Sequence, residues 1–166
     1  MKKKEYTGYK LLLTRIEPRV LILILFITLQ ACEERMYTTI PNVRVNITLD
    51  LDFEDYELNA ALATKSFTQP RRATDEIGFG GILVINAPSA DGSIVNLFAY
   101  DLACPVEIDR EKIVIPNEIG EAKCPHCGAI YNIASGYGYP KSGTKSRLRA
   151  YSVTKISGGN RYLIRN

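Results

Sequence analysis

Val43-Arg44-Val45-Asn46-Ile47-Thr48-Leu49-Asp50-Leu51 alternates apolar and polar residues without a slip. Successive side chains of a strand face opposite ways, so this run is a half-buried β-strand with its odd-numbered residues inward. Downstream, Gly80-Gly81 precedes the apolar run Ile82-Leu83-Val84-Ile85, and Pro88 with Asp91-Gly92 marks a turn before a second strand at 94–100. The two strands form a hairpin. Residues 113–115 and 129–133 are further short strands, and residues 148–155 alternate less cleanly. Ser157-Gly158-Gly159-Asn160 is a hairpin turn before the closing strand Tyr162-Leu163-Ile164. Residues 58–64 suit a short helix or a covering loop, and residues 67–76, with Pro70-Arg71-Arg72, and 135–140 are loops. Many short strands, regular turns and little helix predict an all-β antiparallel sandwich or barrel.

The front of the chain is different. Met1-Lys2-Lys3-Lys4 opens a basic region, and Val20 to Leu29 is then almost purely apolar. That run is too short to span a bilayer as a helix but suits the core of a signal peptide. Leu29-Gln30-Ala31-Cys32 follows and resembles the lipobox of bacterial lipoproteins. The resemblance implies a signal peptide over residues 1–31, lipid on Cys32, a tether over 32–40 and a domain over 41–166. The expected location is the bacterial cell envelope, with the membrane as partner through that lipid. Glu33-Glu34 after the cysteine resembles surface-export signals of some Bacteroidetes lipoproteins.

Residues 1–31 hold six of the 21 basic residues and two of the 18 acidic ones, so residues 32–166 carry 15 basic against 16 acidic. The basicity belongs to the leader, which removes the electrostatic case for nucleic acid. With a single histidine in the chain, no Ser/His/Asp set is recognisable, and there is no Gly-rich phosphate loop. No catalytic residue is expected.

The chemistry concentrates in Cys124-Pro125-His126-Cys127-Gly128, with a third thiol upstream in Ala103-Cys104-Pro105. Each Cys-Pro follows a strand-like run, which places both at loop tips. Thiolate and imidazole suit soft metals and iron–sulfur clusters, whereas an exported protein also uses neighbouring cysteines for disulfides. Composition and spacing leave the two open equally. If Cys32 carries lipid, three thiols remain, which implies one pair and a spare, or a shared metal.

From residue 80 to residue 153 the chain resembles the Rieske iron–sulfur domain. In that family one loop carries Cys-x-His and a second Cys-x-x-His, with thiolates on one iron and imidazoles on the other. Cys104 matches the first cysteine and Cys124 the second, and seventeen residues separate Val106 from Cys124. Phe98-Ala99-Tyr100-Asp101, Gly128 with Ile130-Tyr131-Asn132, and Leu148, Tyr151 and Val153 match the surrounding pattern, while Gly138-Tyr139-Pro140 resembles the proline loop over the cluster. The resemblance implies a Rieske-like all-β fold with a small cluster-binding-type subdomain of two loops.

The ligand set departs from the family. Val106 stands at the first histidine position and Cys127 at the second, and His126 looks transposed with Cys127. The expectation is therefore a binding or structural module without cofactor, its thiols reduced or bridged as Cys104–Cys124. One alternative is an altered 2Fe–2S cluster on Cys104, Cys124 and Cys127, making the protein an electron-transfer component with an unnamed redox or envelope partner. The other is zinc on the same three thiolates, with His126, Asp101 or Glu107 as fourth ligand. Adjacent His126 and Cys127 face opposite ways in an extended segment, which counts against this zinc alternative.

Overall fold

A computed structural model of the chain describes residues 36–89, 92 and 95–166. Cys32 and the leader expected over 1–31 lie outside the described residues. The domain is all-β. Its strands are β1 (Val45–Asp50), β2 (Thr64–Phe67), β3 (Glu76–Ile77), β4 (Ile82–Asn86), β5 (Leu97–Asp101), β6 (Ile115–Pro116), β7 (Glu121–Lys123), β8 (Ile130–Asn132), β9 (Tyr139–Ser142), β10 (Ala150–Ile156) and β11 (Arg161–Arg165). A seven-stranded sheet runs β2-β4-β5-β10-β11-β1-β3, and a four-stranded sheet runs β6-β7-β8-β9. Every pairing is antiparallel.

The larger sheet rolls into a nearly closed barrel. Phe67 near one end of the strand order shares a single apolar core with Val45, Ile47 and Leu49 near the other. The alternating run behaves as its pattern requires: Val45, Ile47 and Leu49 are buried, and Asn46, Thr48 and Asp50 are half-buried.

Strand β4 is buried at all five positions. The pleat explains how a continuous apolar run is used. Ile82 and Val84 point into the barrel, while Leu83 and Ile85 join a second core under the four-stranded sheet. Strand β5 divides in the same way, with Leu97 and Ala99 inside the barrel and Tyr100 in the second core. That second core holds Cys104, Cys124, Ala129, Tyr131, Ile133 and Leu148. The hairpin β4–β5 is thus the wall common to both cores.

Two expectations about local structure are filled in and several are corrected. The short helix or covering loop expected over 58–64 is a 3₁₀ turn at Tyr56–Asn59, anchored by the buried Leu58, and a bend that leads into β2. The loop expected over 67–76 joins β2 to β3 and is held by ion pairs. Arg71 bonds the buried carboxylate of Asp55 at 2.9 Å and the Thr48 carbonyl at 2.8 Å, and Arg72 bonds Glu54 at 2.6 Å. Of residues 113–115 only Ile115 lies in a strand, and Ile113 makes an isolated bridge to Ala103. The hairpin's second strand begins at Leu97. Tyr139 and Pro140 belong to β9, paired with β8 across a register shift, where a loop was expected. Within the stretch expected as a tether, Ile40 is buried, and its carbonyl accepts two bonds from the Arg149 guanidinium.

Asp101 ends β5 fully buried, and its carboxylate has four donors. They are the N–H groups of Phe79 (2.9 Å), Gly80 (3.0 Å) and Ala103 (2.8 Å), and the Tyr151 hydroxyl (2.6 Å). Burial, and after it the Asp101 charge, push the Tyr151 phenol well above its ordinary pKa, so it stays a donor. Gly80 is required here, since a Cβ would lie 2.6 Å from the Cβ of Ala103. Asp101→Ala would orphan three backbone donors. It should destabilise the domain by about 3 kcal/mol in urea unfolding, far beyond an exposed carboxylate such as Asp52→Ala.

Candidate metal centre

Cys104 sits three residues beyond the end of β5, on a loop pinned at both ends. Its N–H donates to the Lys112 carbonyl at 2.9 Å, and its own carbonyl accepts the Ile108 N–H at 3.0 Å. The Thr39 hydroxyl donates to the Pro105 carbonyl, clamping the incoming chain onto the same loop. Cys124 follows β7, and Cys127 precedes β8. Between them the chain makes a tight knuckle: Cys124 N–H donates to Ala129 O at 2.9 Å and Gly128 N–H to Cys124 O at 3.0 Å. Gly128 closes the knuckle with φ +75°, a left-handed conformation that glycine adopts without strain.

The two loops bring the three thiols together. The Sγ atoms of Cys104, Cys124 and Cys127 all lie within 4.8 Å of one another, and Cys104 and Cys127 are 3.6 Å apart. All three are free thiols, Cys104 and Cys124 buried and Cys127 exposed. The edge of a tetrahedron with zinc–sulfur bonds of about 2.3 Å is about 3.8 Å, so Cys104 and Cys127 already have the spacing of two ligands on one ion.

Their electrostatics differ. Burial opposes ionisation of Cys124, but N–H groups of Cys127 and His126 point at its sulfur, and with the neighbouring thiols they hold its pKa below the ordinary thiol value. Cys127 goes the other way. Loss of water and the sulfurs of Cys104 and Cys124 raise its pKa to about 11, against the Ala129 N–H. Three thiolates do not coexist in so small a space without a cation or protons among them.

The proposed fourth ligands are not part of this group. His126 is exposed. The Asp101 carboxylate is committed to its four donors, and Glu107 pairs with Lys112 at 3.0 Å. Val106, at the expected histidine position, is an exposed apolar side chain.

One neighbour was missed as a site residue. The buried Tyr131 hydroxyl lies 3.6 Å from Cys104 Sγ. Burial and then Cys104 push its pKa up, so it remains a phenol able to donate to sulfur. Its place one residue into β8, after an apolar Ile130, reads in sequence as core packing.

No protein-family model matches the chain, and no curated protein sequence matches it either. Among the described residues no helix is long and apolar enough to cross a membrane.

The glycines that shape this end should respond differently to substitution. A Cβ on Gly128 meets nothing within 4 Å, so Gly128→Ala should cost only the left-handed backbone, about 1–2 kcal/mol. Gly138, at φ +63°, would also drive a Cβ to 2.9 Å from Leu148 Cβ and 3.0 Å from Tyr100. Gly138→Ala should therefore be distinctly the worse of the two in thermal melts, by about 1–3 kcal/mol of overpacking.

Proposed function

We propose that this is a Rieske-like domain of the bacterial cell envelope, held to the membrane by lipid on Cys32, in which Cys104, Cys124 and Cys127 hold one thiophilic metal ion, zinc in the first instance, in place of a cluster. The observation that carries the metal reading is the mutual proximity of the three sulfurs, drawn from two pinned loops. A 2Fe–2S cluster needs two ligands on each of two irons. Here all three donors crowd one metal position, and Val106 and the exposed His126 supply nothing for a second.

The donor set fits the ion. Two sulfurs arrive from the knuckle and one from the first loop, and the Tyr131 hydroxyl faces Cys104 as an outer partner that can orient it. Three protein ligands leave a fourth position, and Cys127 exposes the group to solvent there. Bound zinc would offset most of the charge of the crowded thiolates and offer an exchangeable position. The chain's own contribution is to hold the donors on rigid strand ends.

Metal titration of the reduced full chain tests this. Cobalt should bind one per chain with thiolate-to-cobalt absorption, and zinc should displace it. Cys104→Ser or Cys124→Ser should weaken binding at least about 100-fold, more than loss of an outer partner, while His126→Ala should stay within about twofold. The raised Cys127 pKa means that metal must displace its proton near neutral pH. Affinity should accordingly fall at least about tenfold for each unit the pH is lowered from 8 to 6. Two irons and two sulfides per chain in anaerobically purified protein would sink the single-ion reading.

Anchoring is tested separately. Cys32→Ser should release the protein from the membrane fraction and abolish the lipid mass on the N-terminal peptide. Unchanged fractionation with unchanged mass would rule out the lipid.

A further inference from the structure

We propose that Cys104 and Cys127 form a reversible disulfide by exchange with an external disulfide, and that this bond and the metal are mutually exclusive occupants of the thiol group. The inference involves the thiols of the proposed metal site, but it stands on which sulfur is accessible and which lies behind it.

Cys104 and Cys124 are buried to 0% exposure, so no external disulfide reaches either directly. Cys127 is exposed and is the one entrance among the described cysteines. The sulfur at 3.6 Å from it is that of Cys104, on the other loop. Closing that gap to a bonded sulfur pair takes about 1.5 Å, which side-chain rotation of the exposed Cys127 can supply in large part. Cys124 is the less suited partner for Cys127. It is buried at the base of the same short knuckle, whose backbone bonds from Cys124 N–H to Ala129 O and from Gly128 N–H to Cys124 O a bridge inside the turn would have to accommodate. Cys104 and Cys127 instead join two loops separated along the chain, each held by its own backbone hydrogen bonds.

The exchange balances. The Cys127 sulfur, having lost its proton, attacks one sulfur of an external disulfide R–S–S–R. That bond breaks, and one R–S leaves with the electron pair and takes up a proton. The Cys104 sulfur, deprotonated in turn, attacks Cys127 Sγ in the mixed disulfide and expels the second R–S, which is protonated likewise. Two electrons and two protons pass from the cysteine pair to the external disulfide, giving two R–SH. The new bond removes two of the three thiolates, and Cys124 alone cannot hold the ion.

The test uses the full chain with Cys32→Ser, so that no fourth thiol takes part, reduced and loaded with zinc. Oxidised glutathione is added, zinc release is followed with a chromogenic chelator, and peptides are mapped without reduction. The expected result is a loss of about 2 Da from the intact chain, the mass of two hydrogens. A single Cys104–Cys127 peptide and one zinc released per bond should accompany it, with rebinding after dithiothreitol. Cys124→Ser should still form the bond, and Cys127→Ser should leave the folded chain unreactive. A Cys124–Cys127 peptide, a Cys104–Cys124 peptide, or a glutathione adduct that persists on Cys127 would overturn the inference. Mapping on the otherwise unaltered chain decides this even where a variant misfolds. If zinc never binds but the Cys104–Cys127 bond forms, the metal reading and the exclusion fall and the disulfide stands. If zinc binds and no bond forms, the metal reading stands and this inference falls.

Discussion

The constraint on which the rest depends is the double burial of the β4–β5 hairpin. A pleated strand has two faces, and both faces of β4 are covered. Ile82 and Val84 belong to the barrel core, Leu83 and Ile85 to the core under the smaller sheet. Full burial of an aliphatic side chain is worth about 1.5–3 kcal/mol, so shifting β4 by one residue would exchange the contents of two cores at once. That fixes the register of β5, including the point where Asp101 ends the strand and the chain turns toward Cys104. The thiol loop is held to the fold by the same pleat that divides the cores.

Asp101 converts that register into a loop position. A buried carboxylate is tolerable only when its lone pairs are satisfied, and here three N–H groups and one phenol do so. The N–H groups come from both strands of the hairpin at its open end, at 79–80 before β4 and at 103 after β5, so the charge ties the entry to β4 to the exit from β5. The second loop needs no such anchor. Its knuckle closes on itself through Cys124, Gly128 and Ala129, and β7 and β8 pair at three positions on either side.

The legible parts of the sequence were those governed by one local rule. Alternation at 43–51 places Val45, Ile47 and Leu49 correctly, and the 157–160 turn falls between β10 and β11. The elements that escaped depend on distant partners. Tyr139-Pro140 carries turn residues, yet it pairs with β8 because β8 has a free edge beside it. Arg71-Arg72 has the composition of a solvated loop, yet the fully buried Asp55 draws Arg71 in. At the site, the two Cys-Pro loops were legible from spacing, and the structure brings their thiols together. Tyr131 was not, because a tyrosine in a short apolar strand has no local mark that distinguishes a core ring from a sulfur neighbour. The irrelevance of His126 was legible only in part. Strand alternation opposes neighbouring residues, and the knuckle, although not extended, does leave His126 outside the group.

What the thiol group shares with any cluster of like donors is an unfavourable resting state. Three sulfurs within 4.8 Å repel if ionised, and if protonated the two buried ones, Cys104 and Cys124, sit in a core of Leu, Val, Ile and Tyr that offers thiols few strong partners. The backbone does not let them separate. Cys104 is fixed by bonds to Lys112 and Ile108, and Cys124 by bonds to Ala129 and Gly128. Relief has to come from something placed among the sulfurs or from a bond between two of them. A metal ion does the first and requires deprotonation of each ligand, and a disulfide does the second and consumes two of the same sulfurs. The competition is therefore a property of the packing. It would persist in any chain that held these three sulfurs on these two loops, whichever metal or oxidant it met.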